Sequence, residues 1–319
     1  MFNGQGYLYA NDQEVELGFA GELQSGTTSV SVLLSHTSGI ELEGFNLVGN
    51  PYAHNVTSYA SVNVADGCYQ MNEALDDLIV GEINETNPLK PTEGFFVKAT
   101  DAGASVTFNP SRGTAAGQRG SLRVEVVHDG KLLDRLIVRN EGEPLEKLSL
   151  KEQRTKLFAM QDRREVAIVP CDGNEQPVGF KAAKDGTYTL NVNADGVEFD
   201  YLHLIDNLIG TDVDLLVEPS YTFEANTSDY ASRFRLVFSV SGDADGGNAP
   251  FAFINNGNII IIGAEADAVL QIVDVTGRIL VSRKGDAMNH ISTSGMVKGV
   301  YVLRLISGKN VKTQKIVIE

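Results

Sequence analysis

Few side chains in this sequence are spaced for chemistry. Cys68 and Cys171 lie far apart and neither belongs to a C-x-x-C pair, so they furnish no four-cysteine zinc site and no redox dithiol. Both are expected as buried free thiols. His36, His54, His128, His203 and His290 are scattered, and His203, within YLHLID, is expected to face solvent or a polar neighbour rather than a metal. Glu73, Asp76 and Asp77 form an acidic cluster. Carboxylates that close in sequence do not straddle a glycosidic bond from opposed sides at roughly 5 to 9 Å, so a solvated face is expected there. Asp243 and Asp245 stand among glycines, but the repeating carboxylates and closing Glu of a calcium loop are missing. There is no H-E-x-x-H, no G-x-S-x-G and no G-x-x-x-x-G-K-[ST], and Gly4-x-Gly6 lacks a third glycine. The reading is therefore of a protein without catalytic residues, metal ligands or cofactors. Binding rests on Tyr52, Tyr59, Tyr69 and Phe95, whose rings could face a host or polysaccharide ligand. Phe95 and Phe96 are consecutive on a strand, so at least one of them is core, and the chain has no Trp for stacking on sugars.

The elements that would carry these residues are strands. The chain has 319 residues, of which 42% are hydrophobic, and its 32 Gly are spread as turn punctuation between short apolar runs. A formal net charge of −16 repels nucleic acid and anionic lipid. The longest aliphatic run, Ile259 to Ile262, is far short of the roughly 20 residues that span a bilayer. GYLYA and VELGFAG suggest an opening hairpin, and Asn50 before Pro51 ends the strand in GFNLVGN. MNEALDDLIV reads either as a short helix capped by Asn72 or as a strand after a loop. Asp129-Gly130 marks a tight hairpin turn, with Leu122, Val124 and Val126 on one face of the strand before it. Tyr188, Leu190 and Val192, then Tyr221 and Phe223, then Phe234, Leu236 and Phe238 each share a face, and Arg233 and Arg235 fall on the opposite, polar one. The expectation is all-β: tandem antiparallel sandwich or jelly-roll-like domains over residues 1–117 and 118–243, ending in a small β-sandwich over 250–319.

The last region carries the most specific pattern. In LQIVDVTGRILVS, Leu270 and Ile272 share a face, Asp274 caps a turn, and Gly277 takes the left-handed position that closes a type I turn with a bulge. KGVYVLRL and KTQKIVIE predict a second hairpin across Ser307–Asn310. Residues 250–319 hold eight Lys or Arg against five Asp or Glu, a surplus of +3, which leaves −19 for everything before them. A basic module joined to an acidic body suggests a separate task.

Those three segments resemble the C-terminal sorting domains of the type IX secretion system of Bacteroidetes. Leu270, Ile272, Asp274, Gly277 and Arg278 match the first element of the pattern, Gly299 and Tyr301 the second, and Lys312 and Lys315 the last strand. Leu305 stands where the second element ordinarily has a β-branched residue. The resemblance implies a small Ig-like sandwich recognised by the outer-membrane secretion machinery and then usually cleaved. GYLYAN, NLVGNPY and LKPTEGFFVKA resemble phrases of Bacteroidetes surface proteins, and the stretch from YTLNVNADG to RFRLVFS resembles the β-sandwich that often precedes a sorting domain. What this implies is the non-catalytic C-terminal region of a secreted or surface-attached protein, extracellular or on the outer cell surface. The alternatives are an adhesin, a glycan- or protein-binding module, or an accessory domain of an upstream hydrolase. MFNGQGYLYA has neither the basic start nor the apolar stretch of an export signal, so the chain is expected to be part of a longer protein.

Overall fold

The computed structural model describes residues 2–16, 18, 26, 28–40, 42–72, 76–109, 120–171, 173–240, 251–255, 257–261, 264, 267–284, 290–308 and 310–318. Among these the chain forms strands and turns and no helix, so the all-β class expected from the sequence is the one observed. There are two compact units: Met1–Pro170 with Val178–Gly196 and Ser220–Ala231, and Cys171–Pro177 with Val197–Pro219 and Ser232–Glu319.

The first unit starts with β1 (Val30–Leu33), β2 (Phe45–Gly49), β3 (Ala60–Val62), β4 (Cys68–Met71), β5 (Leu78–Gly81), β6 (Gly94–Lys98) and β7 (Ser105–Phe108). They make two small sheets, ordered β1-β7-β3 and β2-β6-β4-β5. Val48, Cys68, Phe95, Val97, Val106 and Phe108 fill one core. Side chains alternate along β6, so Phe96 points the other way and joins Tyr69, Leu78 and Val80 against Ile137, Leu145 and Ile168. Among the described residues the opening hairpin does not form: residues 7–11 make no strand and Tyr7, Leu8 and Tyr9 are all exposed, while residues 17 and 19–21 of VELGFAG lie outside the described residues. Both parities of that run are apolar, so no register buries one face and wets the other. Instead Gln5 bridges to Val48, beside β2. Of MNEALDDLIV, Leu78–Gly81 is β5, while residues 73–75 lie outside the described residues. The boundary read near Gly117 and the glycine-rich stretch with Asp243 and Asp245 also lie outside them.

The unit continues through β8 (Ser121–His128), β9 (Lys131–Arg139), β10 (Leu145–Glu146), β11 (Lys156–Gln161), β12 (Arg164–Pro170), β13 (Glu175–Lys181, in this unit from Val178 on) and β14 (Gly186–Asp195). The β8–β9 turn is the expected one, with Asp129 at φ 50° and Gly130 at φ 72°. The antiparallel expectation meets an exception among the described residues, because β12 runs parallel to β9 with Ile168 beside Ile137. Both residues are buried, as parallel ladders require. A buried ionic cluster ties the loops to this sheet. Arg154 donates to Asp77 at 2.9 Å and to Asp134 at 3.3 Å, and Lys147 pairs with Asp134 at 2.8 Å.

Beyond β14 come β15 (Phe199–Asp206), β16 (Thr211–Asp214), β17 (Ser220–Ala225) and β18 (Phe234–Val240). β17 pairs with β14 in the first unit, while β15 lies between β16 and β18 in the second. Here the expected polar face is a dry one. Arg233 is 2% exposed and holds Asp206 through Nε at 3.1 Å and Nη2 at 2.8 Å, and Val237 is fully buried. Alternation had shown which residues share a face but not whether that face is covered.

Because Phe95 meets Tyr59 and Phe108 with ring centroids 5.2 and 6.2 Å apart, its removal leaves a hole that strands cannot close. Phe95→Ala is expected to cost the first unit about 3–5 kcal/mol, read as a lower denaturant midpoint with an unchanged slope.

Candidate functional site

The C-terminal module of the second unit is built from β19 (Ala252–Asn255), β20 (Asn258–Ile261), β21 (Val269–Asp274), β22 (Ile279–Lys284), β23 (His290–Ser292), β24 (Gly299–Ser307) and β25 (Asn310–Ile318). They form two sheets, β19-β20-β23 and β22-β21-β24-β25. One core joins them: Phe251, Ala252, Ile259, Ile261 and Ile291 from the first, and Leu270, Ile272, Tyr301, Leu303, Leu305, Ile316 and Ile318 from the second. Four residues singled out by pattern, Leu270, Ile272, Tyr301 and Leu305, are therefore core residues, none more than 6% exposed. The Tyr301 hydroxyl leaves that core to donate to the Val297 carbonyl at 2.5 Å.

The turn of the first hairpin follows from Asp274 and Gly277. The Gly277 N–H donates to the Asp274 carbonyl at 2.9 Å, and Gly277 sits at φ 87°, which a side chain would strain. The Asp274 carboxylate accepts from the Thr276 N–H, the Thr276 hydroxyl and the Arg278 N–H at 3.0, 2.6 and 3.0 Å. Its other oxygen pairs with Arg278 Nε at 3.1 Å. These bonds, that of the Thr276 hydroxyl above all, hold the Asp274 carboxyl down at about 2. The return strand carries a bulge, since Ile272 faces Val281 while Val273 faces Ile279. The second hairpin closes with Ser307 opposite Asn310 and Gly308 at φ 58°.

The remaining pattern residues stand at the surface or the rim. The Arg278 side chain is 75% exposed. Lys312 and Lys315 lie on opposite faces of β25, Lys312 half-buried with the core row and Lys315 exposed, opposite Val302. Gly299 opens β24 opposite Ile318. Gln314, which the sequence reading passed over, fastens the module shut. Its Oε1 accepts from the N–H groups of Phe251 and Ala252 at 2.7 and 2.8 Å, and its Nε2 donates back to the Ala252 carbonyl. A side chain of the last strand thereby completes the edge of the first. Only its position in KTQKIVIE, on the inward parity with Ile316, could have hinted at this.

The other candidates are dispersed. Tyr52, Tyr69 and Phe95 are buried and Tyr59 half-buried, so these rings make core and not a ligand-facing surface. Tyr52 and Phe95 enter one cluster, Tyr69 another. The Tyr69 hydroxyl donates to the Glu146 carbonyl at 2.5 Å, and burial raises its phenol above the ordinary range. Burial would also raise the Asp77 carboxyl, but hydrogen bonds from Arg154 and backbone N–H groups outweigh it and hold it low. Asp76 pairs instead with Lys151 at the surface, and Glu73 lies outside the described residues. Neither Cys68 nor Cys171 forms a disulfide; Cys68 is buried as expected, which pushes its thiol up to about 12, whereas Cys171 is only half-buried. His203 Nδ1 donates to the Asp212 carboxylate at 2.7 Å, and the ring is stacked on Tyr201. No group of three or more His, Cys, Asp or Glu among the described residues is arranged to hold a metal, and no described helix is long and apolar enough to cross a membrane.

Three measurements test this account of the module. Gln314→Leu strands two backbone donors and is expected to cost about 1–3 kcal/mol for each, seen as faster amide exchange at Phe251 and Ala252. Asp274→Asn keeps the acceptor for the turn's N–H groups, so it lowers the melting temperature less than Asp274→Ala. The Asp274 pKa is depressed, so the carboxylate contributes above the unfolded range near 4 and is lost as pH falls through about 2. Carboxyl chemical shifts followed by NMR check that midpoint.

Comparison with curated proteins and with solved structures finds no match. A family model does match, over residues 255–319, which contain the Asp274 turn, the Tyr301 strand and the Gln314 strand just described. The C-terminal end of this chain, residues 255–319, thus matches the secretion system C-terminal sorting domain, which supports a C-terminal signal region of a secreted protein.

Proposed function

We propose that this module directs its protein through the type IX route to the outer cell surface or the medium, and that its pattern residues divide into those that fold it and those that are read. What carries the reading is the division itself. Leu270, Ile272, Tyr301 and Leu305 are enclosed, so they act only through the fold, whereas Arg278 and Lys315 present charge on the outside of the same sheet. Arg304 lies on the outward parity of β24, beside Thr313 of β25, on the face that also carries Lys315. That face is basic, and its partner on the secretion machinery is an acidic surface. The first unit, with the part of the second that precedes the module, forms a non-catalytic part of the exported protein.

A second reading concerns ligand binding by the first unit. A cavity of about 440 Å³ there is lined by Gln70, Asn84, Thr86, Asn87, Arg123 and Asp195, among others. Asn87 donates to Gln70 at 2.7 Å, so the amides are preset. A mixed set of amide, hydroxyl and charged groups suits a saccharide, and the size is that of a small-ligand site. This favours a glycan-binding role for the exported protein.

In a host with a working type IX system, the double variant Arg278→Glu with Lys315→Glu is expected to lower the exported fraction about tenfold or more while the melting temperature falls only by the little that the exposed Arg278–Asp274 pair contributes, whereas Leu270→Ala lowers both strongly. Export undiminished by the double charge reversal would sink the reading role of those residues. For the cavity, Arg123→Ala is expected to abolish saturable retention on a polysaccharide that the parent chain binds.

A further inference from the structure

The sorting module is not bounded by its own sandwich core. Along the β19–β20 hairpin, side chains alternate between two destinations. Ala252, Ile254, Ile259 and Ile261 face the sandwich, while Phe253 and Ile260 turn outward and are nonetheless only 6% and 5% exposed. They are covered by Ile205 of β15 and Val237 of β18, with Tyr201 alongside. The rings of Tyr201 and Phe253 lie 5.5 Å apart, and Tyr201 is stacked on His203 at 4.0 Å. At the rim, Arg235 is paired with Glu175 at 3.2 Å and reaches the Ile254 carbonyl at 3.4 Å. All of these residues belong to the second unit. The run of isoleucines from Ile259 is explained the same way, as a strand with both faces dry.

We infer that the β15–β18 sheet is a docking site for the sorting module, and that it holds the module without a covalent link. Every contact named above is made by residues before 241 or after 250. Hydrolysis of one peptide bond between those positions adds one water and leaves a carboxylate and an ammonium at the new ends, and it breaks none of the contacts. A severed module accordingly stays on its site, and an address cut from the chain still needs a second event to leave it. The inference is independent of the export reading, since it concerns an interface that exists whether or not the module is recognised by any machinery.

The surplus of +3 in residues 250–319 and the −19 of the rest offer a rival explanation for retention, long-range attraction between a basic and an acidic body. Salt separates the two, because attraction between exposed charges is screened at high ionic strength and apolar burial is not. The test uses the full chain with a site-specific protease sequence replacing part of residues 241–250. After complete cutting, size-exclusion chromatography is run in low and in molar sodium chloride. Co-elution of both pieces in both buffers is the expected result, with Val237→Glu lowering the retained fraction about tenfold or more while the uncut variant keeps its circular dichroism spectrum. Phe253→Ala serves as a second variant should Val237→Glu fail to fold. Separation of the pieces in low salt overturns the docking site, and separation in molar salt alone overturns its apolar basis.

Discussion

Two-sided burial of the β19–β20 hairpin is the constraint on which the C-terminal half of the molecule depends. A strand with one dry face needs only a partner sheet, but a strand with two must be enclosed from both sides. Ile259 and Ile261 are satisfied by the sandwich and Ile260 by Ile205 and Val237, so neither enclosure alone would make that segment stable in water. The same demand accounts for β18, where Leu236 faces one way and Val237 the other, both fully buried. It also accounts for Arg233. With its surroundings dry, a guanidinium persists only against a carboxylate, and Asp206 supplies it through two hydrogen-bonded nitrogens.

The sorting pattern is mostly a description of how to fold a sheet. Leu270, Ile272, Tyr301 and Leu305 specify which face is inward, and Asp274 with Gly277 specifies where the chain reverses. A signal of this kind is carried by a surface that exists only once its interior is correct. Charge at Arg278 and Lys315 adds little to that interior, as exposed ion pairs add little to stability. Their presence in the pattern points to a partner outside the chain.

Local chemistry was the legible part of the sequence. Asp129-Gly130 and Asp274 to Gly277 announced their turns because only a few residue types tolerate those backbone angles, and Val124 and Leu190 announced their faces by strict alternation. What lay hidden was relational. The aromatics Tyr52, Tyr69 and Phe95 look alike on paper whether they line a groove or a core, and their burial depends on sheets far away in the chain. The face of Arg233 and Arg235 read as a polar one because nothing local says that Phe253 will cover Val237 on the same parity. The parallel pairing of β9 with β12 was equally invisible, since the buried runs of both strands carry no mark of direction. The sorting site was legible in its motif residues and illegible in Gln314, whose partners are backbone groups 62 and 63 positions earlier.

That glutamine also fixes an order of events. The strand edge at Phe251 and Ala252 leaves the ribosome well before the side chain that completes it, and until then its N–H groups have no internal acceptor from that strand. A chain broken off during synthesis, or clipped within β25, carries every earlier turn and most of the core, yet its sandwich stays open at one edge. Closure of the module thus reports that synthesis has passed Gln314, and a transport system that reads only the closed form would leave shorter products behind.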